Sequence, residues 1–307
     1  MADSRSVSAA PGRSRLLPVL LVFVLGSLWG LHFSLIKIAS ESEMTPPLVT
    51  VLTTLGVSLI YIAISLGRRR FPRLAPAALR FYACCALLGY VLPIFIELFV
   101  ARHMAAGLLT LIVSTTPVFT LVIALLSRTE PVSPRRMLGV AVGAAAAAMI
   151  LLPRAMASAA VLSWVLLAFL VPLGYGIFHN YVAHAWPAGQ DTWQVGAGQM
   201  IMALAMMLPL YLIFADPLRP DFSQWQQVHW AIAAMIVFAV MEVWLYFTII
   251  RIAGAVVVSL SNFITIAAGV IWGMLIFGEQ PGLWDWICVA ILMLSLVLVV
   301  EMRRAKG

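Results

Sequence analysis

The stretch 251–281, RIAGAVVVSLSNFITIAAGVIWGMLIFGEQP, begins with Arg251 and a run of small residues and ends in Gly278-Glu279 before a proline. Between those ends lie enough apolar residues to cross a bilayer core of ~30 Å. Ser259, Ser261, Asn262 and Thr265 are set among them. The same stretch occurs once before. Counting back 149 positions pairs Arg251 with Arg102, Ala255 with Ala106, Leu260 with Leu111, Thr265 with Thr116, Leu275 with Leu126 and Glu279 with Glu130, without a gap. The number of crossings between the two copies decides whether they run the same way through the membrane or opposite ways.

Of the 307 residues, 63% are hydrophobic and 10% charged, a balance that soluble domains do not approach. Apolar runs recur along the whole length, so the chain reads as a polytopic membrane protein in direct contact with the lipid bilayer. The net charge of +7 does not point to nucleic acid, because the basic residues stand in short loops and tails beside apolar runs. Cys84, Cys85 and Cys288 all fall inside apolar segments, which implies no disulfide framework. Arg5, Arg13 and Arg15 resemble the start of a signal peptide, but the apolar run from Leu16 to Ala39 is too long for one and reads as an uncleaved first span.

Ten apolar segments follow one another at roughly 16–39, 47–66, 77–100, 104–127, 136–152, 160–182, 193–214, 228–250, 253–277 and 283–300. The connections are short and carry Pro, Gly or charge, and none is long enough to be a further domain. The fifth segment is the shortest and rich in alanine, which suits a closely packed helix. With residues 1–15 inside, the cytoplasmic stretches hold 15 Lys and Arg and the outer ones hold 3 (Arg102, Arg154, Arg219), with Lys37 left within the first span. That bias puts both tails, 1–15 and 301–307, in the cytoplasm, with the chain in the cell (inner) membrane.

Segments four and nine, the two copies, are then five crossings apart and run in opposite directions. Trp29-Gly30 in segment one finds a fainter echo 146 positions later in Tyr175-Gly176 of segment six. The expected fold is all-α and integral to the membrane: ten transmembrane helices as two inverted five-helix repeats, 16–152 and 160–300. Inverted repeats are a transporter signature, because two halves can rock around a site near the midplane.

The motifs themselves resemble a known family. Trp29, Gly30 and Phe33 in the pattern Trp-Gly-x-x-Phe, followed by Lys37, are similar to the start of an EamA-type member of the drug/metabolite transporter superfamily. So is the fourth segment from Ala106 to Thr120, leading to Glu130, and the resemblance covers nearly the whole chain in two units. It implies a bundle with a central cavity lined mainly by helices one, three, four, six, eight and nine. The family pattern usually closes both units with Gly-Glu. Here the first copy reads Arg128-Thr129-Glu130, and the ninth segment lacks the proline that Pro117 supplies in the fourth. Substrates of the superfamily vary widely, so the resemblance does not name the cargo.

Charged groups deep in a span need a reason, since each costs ~2.5–3.5 kcal/mol on insertion scales. Glu242 lies near the middle of segment eight and is the first candidate for proton coupling or for binding a substrate amine; a structural hydrogen bond to a neighbouring helix is the other reading. Glu97, in the outer half of segment three, is the second coupling candidate or a partner for Lys37. Lys37 either lines an outer cavity for an anionic group or snorkels to the interface. Residues 26, 30, 33 and 37 form one stripe of segment one, whose glycines would leave space, while His32 points elsewhere and reads as a helix–helix hydrogen bond. His179 and Asn180 read as the wet end of segment six, and Arg102 and Arg251 as boundary residues.

Ser114, Thr116, Asn262 and Thr265 supply neutral polar groups to segments four and nine, and Pro117 frees a backbone carbonyl for the cavity or for a bend. Trp29, Tyr175, Trp244 and Tyr246 are expected as aromatic cavity walls. The candidate substrate site is therefore Trp29, Phe33, Lys37, Glu97, Ser114, Pro117, Glu242, Tyr246, Asn262 and Thr265. No GxxxxGK[ST] motif is present, so gradients rather than nucleotide supply the energy, and no cofactor or metal is expected. The absence of HExxH and GxSxG sets an intramembrane enzyme last. A proton-coupled secondary carrier of a small polar or amphipathic metabolite comes first. An exporter of amino-acid-like solutes fits the resemblance; a passive channel is the alternative, and a monomer or a homodimer is compatible with either.

Overall fold

The computed structural model describes residues 16–128, 133–157, 159–214, 226–253, 257–258 and 261–299. Glu130, Ala255, Ser259, Leu260, Arg219 and both tails lie outside them. The described residues are helical, without a strand. In chain order the helices are α1 (Leu16–Ser40), α2 (Pro46–Arg68), α3 (Pro76–Ala86), α4 (Leu92–Val100), α5 (Ala106–Val113), α6 (Thr116–Leu126) and α7 (Pro134–Ala157). They continue with α8 (Ala159–Ala168), α9 (Leu170–Ala185), α10 (Thr192–Phe214), α11 (Gln227–Ala253), α12 (Ser261–Phe277) and α13 (Leu283–Val299). Seven continuous stretches are long and apolar enough to cross a membrane, and 137–150, 261–277 and 283–298 are shorter apolar helices.

Two prolines explain two breaks. Pro93 lacks an N–H, and the turn before it widens into a π-helical segment, Leu87–Val91, that joins α3 to α4. Pro117 interrupts the fourth segment, which divides at Ser114-Thr115 into α5 and α6. The carbonyl of Val113 that Pro117 leaves without a backbone donor accepts a hydrogen bond from Thr116 Oγ1 at 2.5 Å instead. The ninth segment has no proline, and α12 is continuous.

The helices pair in a pattern that survives exchange of the two halves. Helix α1 packs on α12 and α9 packs on α6; α2 packs on α10, and α7 on α13. The register of these contacts follows the sequence repeat. A Cβ on Gly30 would meet Ala268 and Gly269, whereas one on Gly176 would meet Phe119 and Thr120. Gly176 is 146 positions after Gly30, and Phe119 and Thr120 are 149 before Ala268 and Gly269. The same close approach is thus built twice, at matched positions. In lipid such approaches hold helices together by van der Waals contact, because apolar burial drives nothing there.

Gly26 and Gly30 both face α12, at Ser261 with Ile264 and at Ala268 with Gly269. The glycines of the first segment therefore bring a helix close rather than leaving space in a cavity. Because positions 26 and 30 rise along α1 as 261 and 268 rise along α12, these two helices run parallel. A Cβ on Gly269 would meet Thr110, while one on Gly273 would stand 3.5 Å from the Gly107 amide nitrogen, so α12 and α5 run antiparallel.

Candidate functional site

A cavity with about 870 Å³ of atom-free space, including its open part, lies between the halves. Helix α1 contributes Trp29, His32 and Phe33, and α9 contributes Tyr175, Phe178 and His179, each 146 positions later. Val113 and Thr116 find their counterparts 149 positions later in Asn262 and Thr265. The π-helical segment and α4 add Gly89, Tyr90 and Ile94, α11 adds Glu242 and Tyr246 among others, and α10 adds Gln199. On α10, α11 and α12 the lining residues stand toward Thr192, Ala253 and Ser261, on α9 they straddle the middle, and on α1 they stand past the middle toward Ser40.

The charged part of the lining is a cluster of three. His32 Nε2 lies 3.7 Å from Glu97 Oε2, and His32 Nδ1 lies 3.7 Å from Glu242 Oε2. One imidazole thus stands between carboxylates from α4 and α11. Glu97 has no exposed surface, and Glu242 retains 7%. Neither oxygen of Glu97 has a hydrogen-bond partner, nor has Glu242 Oε1. At depth this arrangement is costly unless the imidazole or a carboxyl takes up a proton, or another cation balances the charge.

Aromatic rings make up much of the rest of the lining. Tyr246 stacks on Phe178, with ring centroids 5.2 Å apart, and on His179 at 5.4 Å; Trp29 stands 6.3 Å from Tyr246. The hydroxyls of Tyr90, Tyr246 and Ser114 and the Gln199 Oε1 are buried without a hydrogen-bond partner. Thr265 Oγ1 is satisfied by the Ser261 carbonyl at 3.0 Å.

Of the residues singled out from sequence, Trp29, Phe33, Ser114, Glu242, Tyr246, Asn262 and Thr265 line the cavity. Glu97 sits directly behind His32. Pro117 is buried in α6 and acts through the break it causes. Lys37 lies away from the cavity: its Nζ pairs with Glu41 at 2.7 Å and donates to the Met104 carbonyl at 3.2 Å. Glu97 therefore has His32, not Lys37, as its neighbour. Trp244 faces α10, stacked on Trp193 at 5.5 Å. Asn180 donates to the carbonyls of Thr120 and Gly176, both at 2.9 Å. Arg102 donates to the carbonyls of Ser40 and Ser42, tying down the α1–α2 connection.

His32 as the centre of the cluster, Gln199, and the π-helical placement of Tyr90 were not expected. A signal existed for the last, since Pro93 follows Tyr90 by three residues in an apolar run and must disturb the helix before it.

The far end of the bundle is held differently. Gly278 adopts a left-handed φ of 64°, ending α12 and turning Glu279 back toward α5. The amides of Ala106 and Gly107 donate to Glu279 Oε1 and Oε2 at 2.7 and 3.0 Å. The carboxylate thereby meets two of the N–H groups that a helix start leaves without partners.

A multi-pass helical membrane protein with a polar, partly charged cavity between matched halves is the class these features define. The EamA-like transporter family matches residues 16–152 and again 162–301, and the chain belongs to that family. A solved structure titled only "Crystal structure of protein" is 18% identical, with a TM-score of 0.65 over 95% of this chain and 100% of that one, a likeness of fold alone. No curated protein matches the chain.

Proposed function

We propose that the chain is a secondary active transporter working by alternating access, coupled to protons through the Glu97–His32–Glu242 cluster. Ten spans would form two inverted units, 16–152 and 160–300, with both tails on the cytoplasmic side of the cell (inner) membrane. The antiparallel course of α5 and α12 and the parallel course of α1 and α12 support the inversion. One observation carries the functional reading: an imidazole held between two buried carboxylates at the seam of the halves. A proton held there is exposed to one side or the other as the halves rock.

The test is flux into proteoliposomes with and without an imposed pH gradient. Wild-type protein is expected to show counterflow and gradient-driven accumulation. Glu242→Gln should retain a monodisperse fold and lose the gradient-driven part. Wild-type pH dependence in that variant would remove Glu242 from the coupling. Flux without counterflow would make the protein a passive facilitator.

A further inference from the structure

We infer that the cavity takes an organic monocation, a protonated amine carried on an aromatic or compact apolar body. The inference rests on the transporter reading and names its substrate class. Two independent features of the cavity point there.

The first is charge. Among the described residues the lining holds a carboxylate, Glu242, with a second, Glu97, immediately behind His32, and holds neither lysine nor arginine. Lys37, which would have matched an anionic group, is turned away to Glu41 and the Met104 carbonyl. Arg251 is exposed beyond the cavity, 5.8 Å from the Trp186 ring. With His32 protonated, two carboxylates against one imidazolium still leave one negative charge. An ammonium group would balance it. A substrate carboxylate would meet no fixed cation other than that shared imidazolium, so a free amino acid, with its own carboxylate to place, suits the cavity poorly.

The second is the aromatic part of the lining. Tyr246 packs against both Phe178 and Trp29, and all three line the cavity together with Tyr175. Aromatic ring faces attract cations and stack with flat apolar bodies. Glu242 Oε1 and the Tyr246 hydroxyl are buried, lack partners, and stand one turn apart on α11. An ammonium donates in up to three directions and suits these acceptors. Its apolar body then lies along the rings of Tyr246 and Phe178.

The experiment uses the full-length protein in detergent and three probes with a common body: phenethylamine, phenylacetate and phenethyl alcohol. Binding is read by calorimetry at neutral pH. Phenethylamine is expected to bind at least tenfold tighter than phenylacetate and tighter than the alcohol. Glu242→Gln should erase the preference of amine over alcohol. Equal or tighter binding of phenylacetate, or an unchanged amine preference in Glu242→Gln, overturns the inference. So does binding of none of the three. The comparison among probes needs only wild-type protein, so it holds even where the variant folds poorly. Amine binding without flux in proteoliposomes would sink the transporter reading and leave the cation site. Flux of an anionic solute without amine binding would do the reverse.

Discussion

His32 and Phe33 of α1 face the cavity from one half, and Phe178 and His179 of α9 face it from the other, 146 positions later. Each half thus supplies one histidine and one phenylalanine, in opposite order. The one-position offset changes everything around the imidazole. His32 stands between two carboxylates, each 3.7 Å away, whereas His179 is stacked among the rings of Tyr246 and Tyr175. Duplication accounts for a scaffold that is the same twice. Divergence at a few lining positions has given one histidine an ionic setting and the other an aromatic one.

The sharpest way to break this comparison is to remove each ring's basic nitrogens in turn. Phenylalanine at position 179 keeps the stacking, which is worth ~0.5–1.5 kcal/mol per pair, so His179→Phe should change counterflow by less than about fivefold. Phenylalanine at position 32 leaves two buried carboxylates facing each other without a cation. Breaking a buried pair in this way costs ~3–5 kcal/mol, so His32→Phe should lose at least ~100-fold in flux. Gel filtration and far-ultraviolet dichroism separate loss of transport from loss of fold. Equal effects of the two variants would mean that the histidines act as a symmetric pair and that the ionic setting has no special standing.

A smaller effect compares the halves by packing alone. On Gly30 an added Cβ would lie 2.6 Å from Ala268 Cβ and 2.7 Å from the Gly269 amide nitrogen, and backbone has little room to yield. On Gly176 the nearest atoms, Phe119 Cβ and Thr120 N, are 3.0 Å away. Overpacking costs ~1–3 kcal/mol, whereas replacing glycine by alanine within a helix returns ~0.5–1 kcal/mol. Gly30→Ala should therefore lower the thermal midpoint by several degrees, and Gly176→Ala should leave it almost unchanged. If Gly176→Ala proves the more damaging, α6 and α9 are in tighter contact than α1 and α12, contrary to the distances.

How far these contrasts can be read from sequence depends on which neighbour decides them. Apolar runs, the 149-residue repeat and the effect of Pro117 are local properties and are plain in the chain. Helical geometry also shows that His32 and Lys37 cannot face the same way. It does not show which of them faces the cavity. That is settled by α12, which packs against Gly26 and Gly30 and so turns the opposite side of α1 inward. The same packing fact separates Lys37 from Glu97 and brings His32 to it. Glycines in a span look alike on paper whether they admit a ligand or a second helix. Only the partner's position distinguishes the two.

The smallest expected effect lies at the end of the bundle away from the cavity, where Glu279 from the second half binds the start of α5 in the first. The Ala106 and Gly107 amides are among the first N–H groups of that helix, and both are satisfied by this carboxylate. The geometry depends on small neighbours: a Cβ on Gly273 would stand 2.6 Å from Glu279 Oε2 and one on Gly107 would stand 3.1 Å from it. A carboxylate at a helix N-terminus contributes ~0.3–1 kcal/mol, and up to ~2 kcal/mol where partly buried. Glu279→Gln keeps one acceptor oxygen but turns an amide toward the other N–H, so a loss of about 1 kcal/mol is expected. Glu279→Ala, which leaves both donors without an acceptor, should lose more. Chemical denaturation in detergent measures both. The repeat places Glu130 149 positions before Glu279, with Arg128-Thr129 before it in place of Phe277-Gly278. Arg128 adopts a left-handed φ of 56° without the freedom of a glycine. A loss on Glu130→Gln equal to that on Glu279→Gln would mean that the clasp, unlike the cavity, has stayed symmetric through the divergence of the halves. A negligible loss at Glu130 would confine the clasp to the Glu279 end, leaving the two ends of the bundle unequally held.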